Sequence, residues 1–258
     1  MQNLTATLVQ CELAWESPAQ NREQLEALIA DERNITDIVV LPEMFTTGFS
    51  MNAESNAEPP GGESEQWLRK MATVLNCAVT GSIATRDGNR VFNRMLFATP
   101  DSVAYYDKRH LFRMAGEDQH YAPGHRRVCV TWRGWRILLQ VCYDLRFPVF
   151  SRNQGDYDLA LYVANWPDAR REHWRCLLQA RAIENLACVI GVNRVGEDGN
   201  RLHYAGDSLA FDAHGNYLAD LSSGAESRRV TFDADQLKAH RERFPFHLDA
   251  DAFSLSAS

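Results

Sequence analysis

Short apolar runs recur along the chain, and each stops at a turn residue or at an unexpected charge. TATLVQC (5–11), DIVVLPE (37–43), CAVTGSI (77–83) and RMLFATP (94–100) have the length and composition of strands. SVAYYDK (102–108), RVCVTW (127–132), RILLQVC (136–142), LALYVAN (159–165), ACVIGVNR (187–194), SLAFDAHG (208–215) and RRVTFD (228–233) continue the series. Asp-Gly at 87–88 and 198–199 and His214-Gly215-Asn216 supply turn chemistry between them.

Three stretches switch to a helical period. Ser17-Pro18 reads as an N-cap followed by a first-turn proline, opening a helix through Leu25, Leu28 and Ile29. A second covers 63–75 with Trp67, Met71 and Leu75 on one face, and a third runs over 169–186. That third helix is expected to turn Trp174, Leu177, Leu178, Ala182 and Ile183 inward, onto a sheet. Strands apolar on both faces, helices among them and no Pro/Gly/Ser-rich linker predict an α/β layered sandwich built as one domain over 1–258. The stretches 45–62 and 112–127 are long for loops in such a fold, and long ordered loops tend to carry function.

Composition narrows the partner. At 258 residues and 45% hydrophobic the chain can bury a full core, and a net charge of −7 gives no basic footprint for nucleic acid or an anionic membrane. With no uninterrupted apolar run of membrane-spanning length and no secretory leader pattern, a cytoplasmic protein acting on a small molecule is expected. Six scattered cysteines without a C-x-x-C pair argue against disulfides and against a zinc site, and no cofactor is expected.

Candidate chemistry sits where three runs end. Cys142 follows Ile137-Leu138-Leu139-Gln140-Val141 at the point where a strand gives way to a turn, a position that holds a nucleophile rigidly and leaves the next N–H free for an oxyanion. Glu43 closes VVLPE and Lys108 closes AYYDK, and a charge at the mouth of a buried strand needs a partner or a task. Asp144 and Arg146, just past the cysteine, read as a buried structural ion pair. His110, His120 and His173 lie near these segments, so a Cys–His hydrolase is the competing reading among enzymes, and a silent binding subunit of the same fold is the competing reading outside them.

LPEMF, YDKRHLF and VCYDLRFP, in this order, resemble the three signature segments of the nitrilase, or carbon-nitrogen hydrolase, superfamily, and Asn165-Trp166-Pro167, ARREHW and AGDSLAFDAHG resemble its later segments. The resemblance implies a four-layer αββα sandwich in which Glu43 is general base and acid, Lys108 the cation beside the tetrahedral intermediate, and Cys142 the nucleophile. It implies for Glu117, in HLFRMAGEDQHYAPG, the role of a second glutamate that positions the lysine, with Asp118 as its competitor. Within the superfamily, CYDLRFP and YDKRHLF look most like the ω-amidases, which hydrolyse the terminal amide of 2-oxoglutaramate or 2-oxosuccinamate. Other amide, carbamoyl or nitrile substrates are the alternative. An anionic substrate calls for a cation, offered by Arg170 or Arg171; the N–H of Tyr143 is placed for the oxyanion, and Phe45 and Trp166 are expected to wall the pocket. The resemblance further implies a homodimer formed through the 169–186 helix.

Overall fold

A computed structural model describes residues 1–255; residues 256–258, the end of the expected 1–258 domain, lie outside it. Two six-stranded sheets face each other. The first contains β1 (Leu4–Gln10), β2 (Ile38–Val40), β3 (Ala78–Asp87), β4 (Arg90–Ala98), β5 (Val103–Asp107) and β14 (Glu226–Phe232), in the order β14-β1-β2-β3-β4-β5. The second contains β6 (Cys129–Trp132), β7 (Trp135–Val141), β8 (Leu159–Ala164), β9 (Cys188–Asn193), β12 (Leu209–Phe211) and β13 (Tyr217–Asp220), in the order β13-β12-β9-β8-β7-β6. A separate ribbon pairs β10 (Val195–Glu197) with β11 (His203–Ala205). In each sheet the middle is parallel (β1-β2-β3 and β7-β8-β9) and the flanks are antiparallel.

The helices are α1 (Pro18–Ile29), α2 (Ala53–Asn56), α3 (Glu63–Leu75), α4 (Glu117–His120), α5 (Pro148–Ser151), α6 (Arg171–Asn185) and α7 (Ala234–Arg243). Period-two alternation divides the apolar side chains among three interfaces. Ile38 and Val40 of β2 meet Leu159, Leu161 and Val163 of β8 between the sheets. Their neighbours point the other way: Val39 and Leu41 face Leu25 and Ile29 of α1 and Trp67, Met71 and Leu75 of α3. Ala160, Tyr162 and Ala164 of β8 face Trp174, Leu178 and Ala182 of α6. The result is the αββα layering expected from the sequence. Gly191, in the middle of β9, lets α6 approach closely, because a Cβ there would lie 2.3 Å from Leu178 Cδ1 and 2.7 Å from Trp174 Cζ2.

Two details differ from expectation. Ile183 is not inward: it is half exposed and touches the turn at Gly215, since the buried stripe of α6 runs through Trp174, Leu178, Arg181, Ala182 and Asn185. The segment after His214-Gly215-Asn216 returns as β13, completing a hairpin with β12.

This hairpin turn carries a pH-dependent contact. The rings of His214 and His240 lie 3.6 Å apart between centroids, joining the turn to α7. Burial, and then the neighbouring His214, push His240 below its ordinary value of 6.5, with Asp212 opposing and Arg241 adding to the shift. Below that ordinary value the unfolded chain therefore binds more protons than the folded one, so this contribution is present above it and is lost as pH falls through the depressed folded value. Thermal midpoints measured from pH 7.5 down to 5 are expected to fall less steeply in His214→Asn than in the parent; identical slopes would remove the pair from the balance.

Candidate active site

The chain brings the expected residues to one place by ending strands there. Leu41 and Pro42 carry the backbone from β2 to Glu43, where Met44 takes a left-handed φ of 46°. Lys108 follows β5 directly, its N–H donating to Asn93 O at 2.9 Å. Cys142 follows β7 with a φ of 45° and opens a short 3-10 turn through Arg146. Asn165 follows β8, and Glu117 opens α4 inside the 112–127 stretch. Ligand sites at the carboxyl ends of parallel strands are the general expectation for such sheets, and β2, β7 and β8 all conform.

Lys108 Nζ lies 2.9 Å from Glu43 Oε1 and 2.9 and 3.0 Å from the two carboxylate oxygens of Glu117. All three side chains are fully buried. Phe49 offers its ring face 5.0 Å from the ammonium. Asn93 donates Nδ2–H to Glu43 Oε1 at 2.7 Å and, more distantly, to Glu117 Oε1 at 3.4 Å. Asn165 grips Glu43 twice, its backbone N–H donating to Oε2 at 2.7 Å and its Nδ2–H to the Glu43 carbonyl at 2.6 Å. Phe112 N–H donates to Glu117 Oε2 at 2.6 Å. Asp118 instead faces outward, 3.8 Å from the exposed Arg113, so it is Glu117 that the turn presents to the lysine.

The electrostatics follow from this burial. Desolvation pulls the Lys108 pKa down, yet Glu117 and Glu43 outweigh it and raise the pKa well above the ordinary value. Burial pushes the Cys142 thiol far up, and the Glu43 charge adds to that; Lys108 opposes without reversing it. Burial also raises Glu117, against the pull of Lys108. The resting site therefore holds a neutral thiol, its Sγ 3.9 Å from Asn165 O, together with a carboxylate that accepts from three donors and a locked ammonium. Such a set can deprotonate sulfur as it attacks an electrophilic carbon, and can return the proton to a leaving group.

Above the thiol the pocket is lined by Phe49, Tyr143, Trp166, Arg146 and Arg170 among others. Arg170 lies over the ring of Phe112 at 5.3 Å, and its carbonyl accepts from Trp166 Nε1 at 2.8 Å. Arg146 lies over Trp166 at 4.6 Å, with Nη2 3.2 Å from His173 Nδ1. Neither guanidinium has a carboxylate within ion-pair distance among the described residues. Arg171, the alternative cation, is turned away and binds Asp207 through Nε and Nη2 at 3.0 and 2.9 Å.

Two expectations are corrected, and the competing Cys–His reading finds no support. The Asp144–Arg146 ion pair does not form, because Arg146 turns into the pocket while Asp144 points back toward His110 and Tyr106. Phe45 does not wall the pocket; its ring packs against Trp67 in the core, 5.8 Å between centroids, in space left by Gly81, and Phe49 lines the pocket instead. Among the described residues no histidine hydrogen-bonds the Cys142 thiol, whose Sγ lies 3.9 Å from Asn165 O. Asn93, Phe49 and Arg146 were missed as site residues, and for Asn93 a usable signal exists: an amide side chain in the middle of a strand otherwise destined for burial.

The sequence pattern of the family described as carbon-nitrogen hydrolase matches residues 5–241. A protein of Yersinia enterocolitica described as omega-amidase YafV is 51% identical over 257 residues, covering 99% of this chain and 100% of the relative. A Bacillus subtilis protein described as 2-oxoglutaramate amidase is 31% identical, covering 93% of this chain and 95% of the relative. The crystal structure of XC1258 from Xanthomonas campestris, described as a CN-hydrolase superfamily protein with an arsenic adduct in its active site, superposes with a TM-score of 0.98 at 49% identity, covering 99% of this chain and 100% of that one. Pattern, relatives and fold agree with the buried cluster at the strand ends, and the chain belongs to the carbon-nitrogen hydrolase family.

Proposed function

We propose that this chain is an ω-amidase that hydrolyses the terminal amide of 2-oxoglutaramate or 2-oxosuccinamate to the 2-oxo acid and ammonia, through an acyl-enzyme on Cys142. Because the resting thiol is neutral, Glu43 takes its proton as sulfur attacks the amide carbon. The oxyanion that forms is met by Lys108 and by the N–H of Tyr143. In the resting state the three hydrogen bonds of the ammonium all go to carboxylate oxygens of Glu43 and Glu117. Protonation of Glu43 weakens its claim on one of them, which frees a donor when negative charge appears on the substrate. Glu43 then gives the proton to departing ammonia and activates the water that releases the acid, while Glu117 keeps the ammonium in place.

The observation that carries the substrate assignment is the pair of guanidinium groups, Arg146 and Arg170, lining the same pocket as the thiol without a carboxylate of their own among the described residues. A substrate with an anionic end supplies the missing partner. The relatives described as omega-amidase and 2-oxoglutaramate amidase support the same choice. Arg170→Met is expected to lower kcat/KM for 2-oxoglutaramate about 10- to 100-fold, mostly through KM, and to change that for a neutral amide of the same length less than about threefold. Equal losses on both substrates would refute the anion site.

We also infer a cytoplasmic homodimer in which residues 1–258 act as one domain. All six cysteines are unpaired thiols, in keeping with a reducing compartment, and among the described residues no helix is long and apolar enough to cross a membrane. The outer face of α6 leaves Cys176 exposed and Ile183 47% exposed, which suits a surface covered by a second copy. Sedimentation at micromolar concentration should give a species of twice 29.3 kDa, and a monomer alone would refute the dimer.

A further inference from the structure

Asp144 is fully buried two residues past the thiol, and four donors converge on its carboxylate. Oδ2 accepts from Val141 N–H at 3.0 Å and from Tyr106 Oη–H at 2.7 Å. Oδ1 accepts from His110 N–H at 3.0 Å and lies 2.7 Å from the Nδ1 of the same residue. These donors come from opposite sides of the sandwich. Val141 ends β7 in the second sheet and immediately precedes Cys142; Tyr106 lies in β5 of the first sheet, and His110 stands two residues beyond Lys108.

The histidine is fixed from the other side as well. Its ring stacks on Phe147 at 3.8 Å and 8°, and meets Phe150 edge-on at 5.2 Å, both in the segment that follows the cysteine turn. With a carboxylate at Nδ1, the tautomer carrying its proton there is the one that satisfies both groups. Backbone and ring of His110 thus hold one oxygen of Asp144, while the other oxygen holds the residue before the nucleophile. Cys142 itself sits at a positive φ, a conformation that persists in a residue with a Cβ only where its surroundings enforce it.

We propose that His110, acting through Asp144, is a positioning residue that sets the Cys142 thiol against the Lys108 ammonium during acylation. The proposal rests on the reading of Cys142 and Lys108 given above. Removing the ring donor frees one lone pair of a buried carboxylate and loosens the tie between the two strand ends, and small displacements at a reacting centre are costly in rate.

The test uses the geometry of amide side chains. His110→Asn places an N–H near the position of Nδ1, His110→Gln carries its donor out toward the position of Nε2, and His110→Ala supplies none. Single-turnover acylation by 2-oxoglutaramate, scaled to the fraction of Cys142 that can be alkylated, is expected to fall at least about tenfold in His110→Ala and His110→Gln, with KM within about threefold. His110→Asn is expected to stay within about threefold of the parent in both. Equal rates in the Asn and Gln variants, or a loss confined to KM, would overturn the proposal. Should His110→Ala fail to fold, the Asn and Gln pair carries the test alone. Turnover surviving in Cys142→Ala would sink the catalytic reading itself, whereas an inactive Cys142→Ala with undifferentiated His110 variants sinks only the positioning role.

Discussion

Cys142→Ala is expected to lower turnover by at least about 10⁴-fold while leaving the protein folded, since in the proposed mechanism removal of the nucleophile leaves only binding and oxyanion stabilisation to act on the amide. The cost to stability is expected to be about 1 kcal/mol, because the half-buried side chain touches both the inter-sheet core and the α6 core and loses only one heavy atom. The contrast with Cys11 and Cys188 is informative. Both are buried in the core with pKa values pushed up to about 12, and neither approaches the Glu43–Lys108 cluster, so alanine at either position should change stability and not chemistry. Near-parental turnover in Cys142→Ala, measured as ammonia release, would contradict the account.

Lys108→Met should be nearly as damaging for a different reason. The ammonium is the shared partner of two fully buried carboxylates, so its loss leaves uncompensated charge whose burial costs about 3–5 kcal/mol. The site can relieve this by taking up a proton on Glu43 or Glu117, but a protonated Glu43 no longer serves as the base. Together with loss of the proposed oxyanion donor, a fall in kcat of at least about 10³-fold is expected. Lys108→Arg should not rescue it. A planar guanidinium presents its donors in a rigid fork, and the space around Nζ is already closed by Glu43, Glu117 and the ring of Phe49. Retention of more than about a tenth of parental kcat in Lys108→Arg would show that the charge, and not the placement of one donor, is what matters.

Much of this site was legible because burial makes charge conspicuous. VVLPE, AYYDK and LLQVC each end an apolar run in a group that burial penalises; β5 and β7 end directly before Lys108 and Cys142, and β2 ends at Val40, with Leu41 and Pro42 leading on to Glu43. Strands apolar on both faces likewise announced a layered fold, although which core each side chain of β2 and β8 enters is set by the structure. What local pattern does not carry is which partner a group finds across the fold. Asn93 reaches Glu43 over 50 positions of sequence, and only the pairing of β4 with β3 and β5 aligns them. Asp144 and Arg146 misled because opposite charges two apart look paired, whereas in a tight turn such neighbours point in different directions. Phe45 misled for a related reason: the left-handed backbone at Met44 sends it back over Gly81, and the pocket receives Phe49 from further along the loop. Ile183 followed the general helical period, but the stripe that α6 buries also includes Arg181 and Asn185, which shifts the inward face away from it.

The most direct measurement is intact-protein mass spectrometry of enzyme quenched in acid during turnover of 2-oxoglutaramate, followed by peptide mapping. A fraction of the protein is expected to carry the acyl group on the peptide that contains Cys142, with none in Cys142→Ala and a greatly reduced fraction in Lys108→Met. Ammonia release at full rate with Cys142 unmodified throughout, or an adduct on any of the other five cysteines, would contradict it.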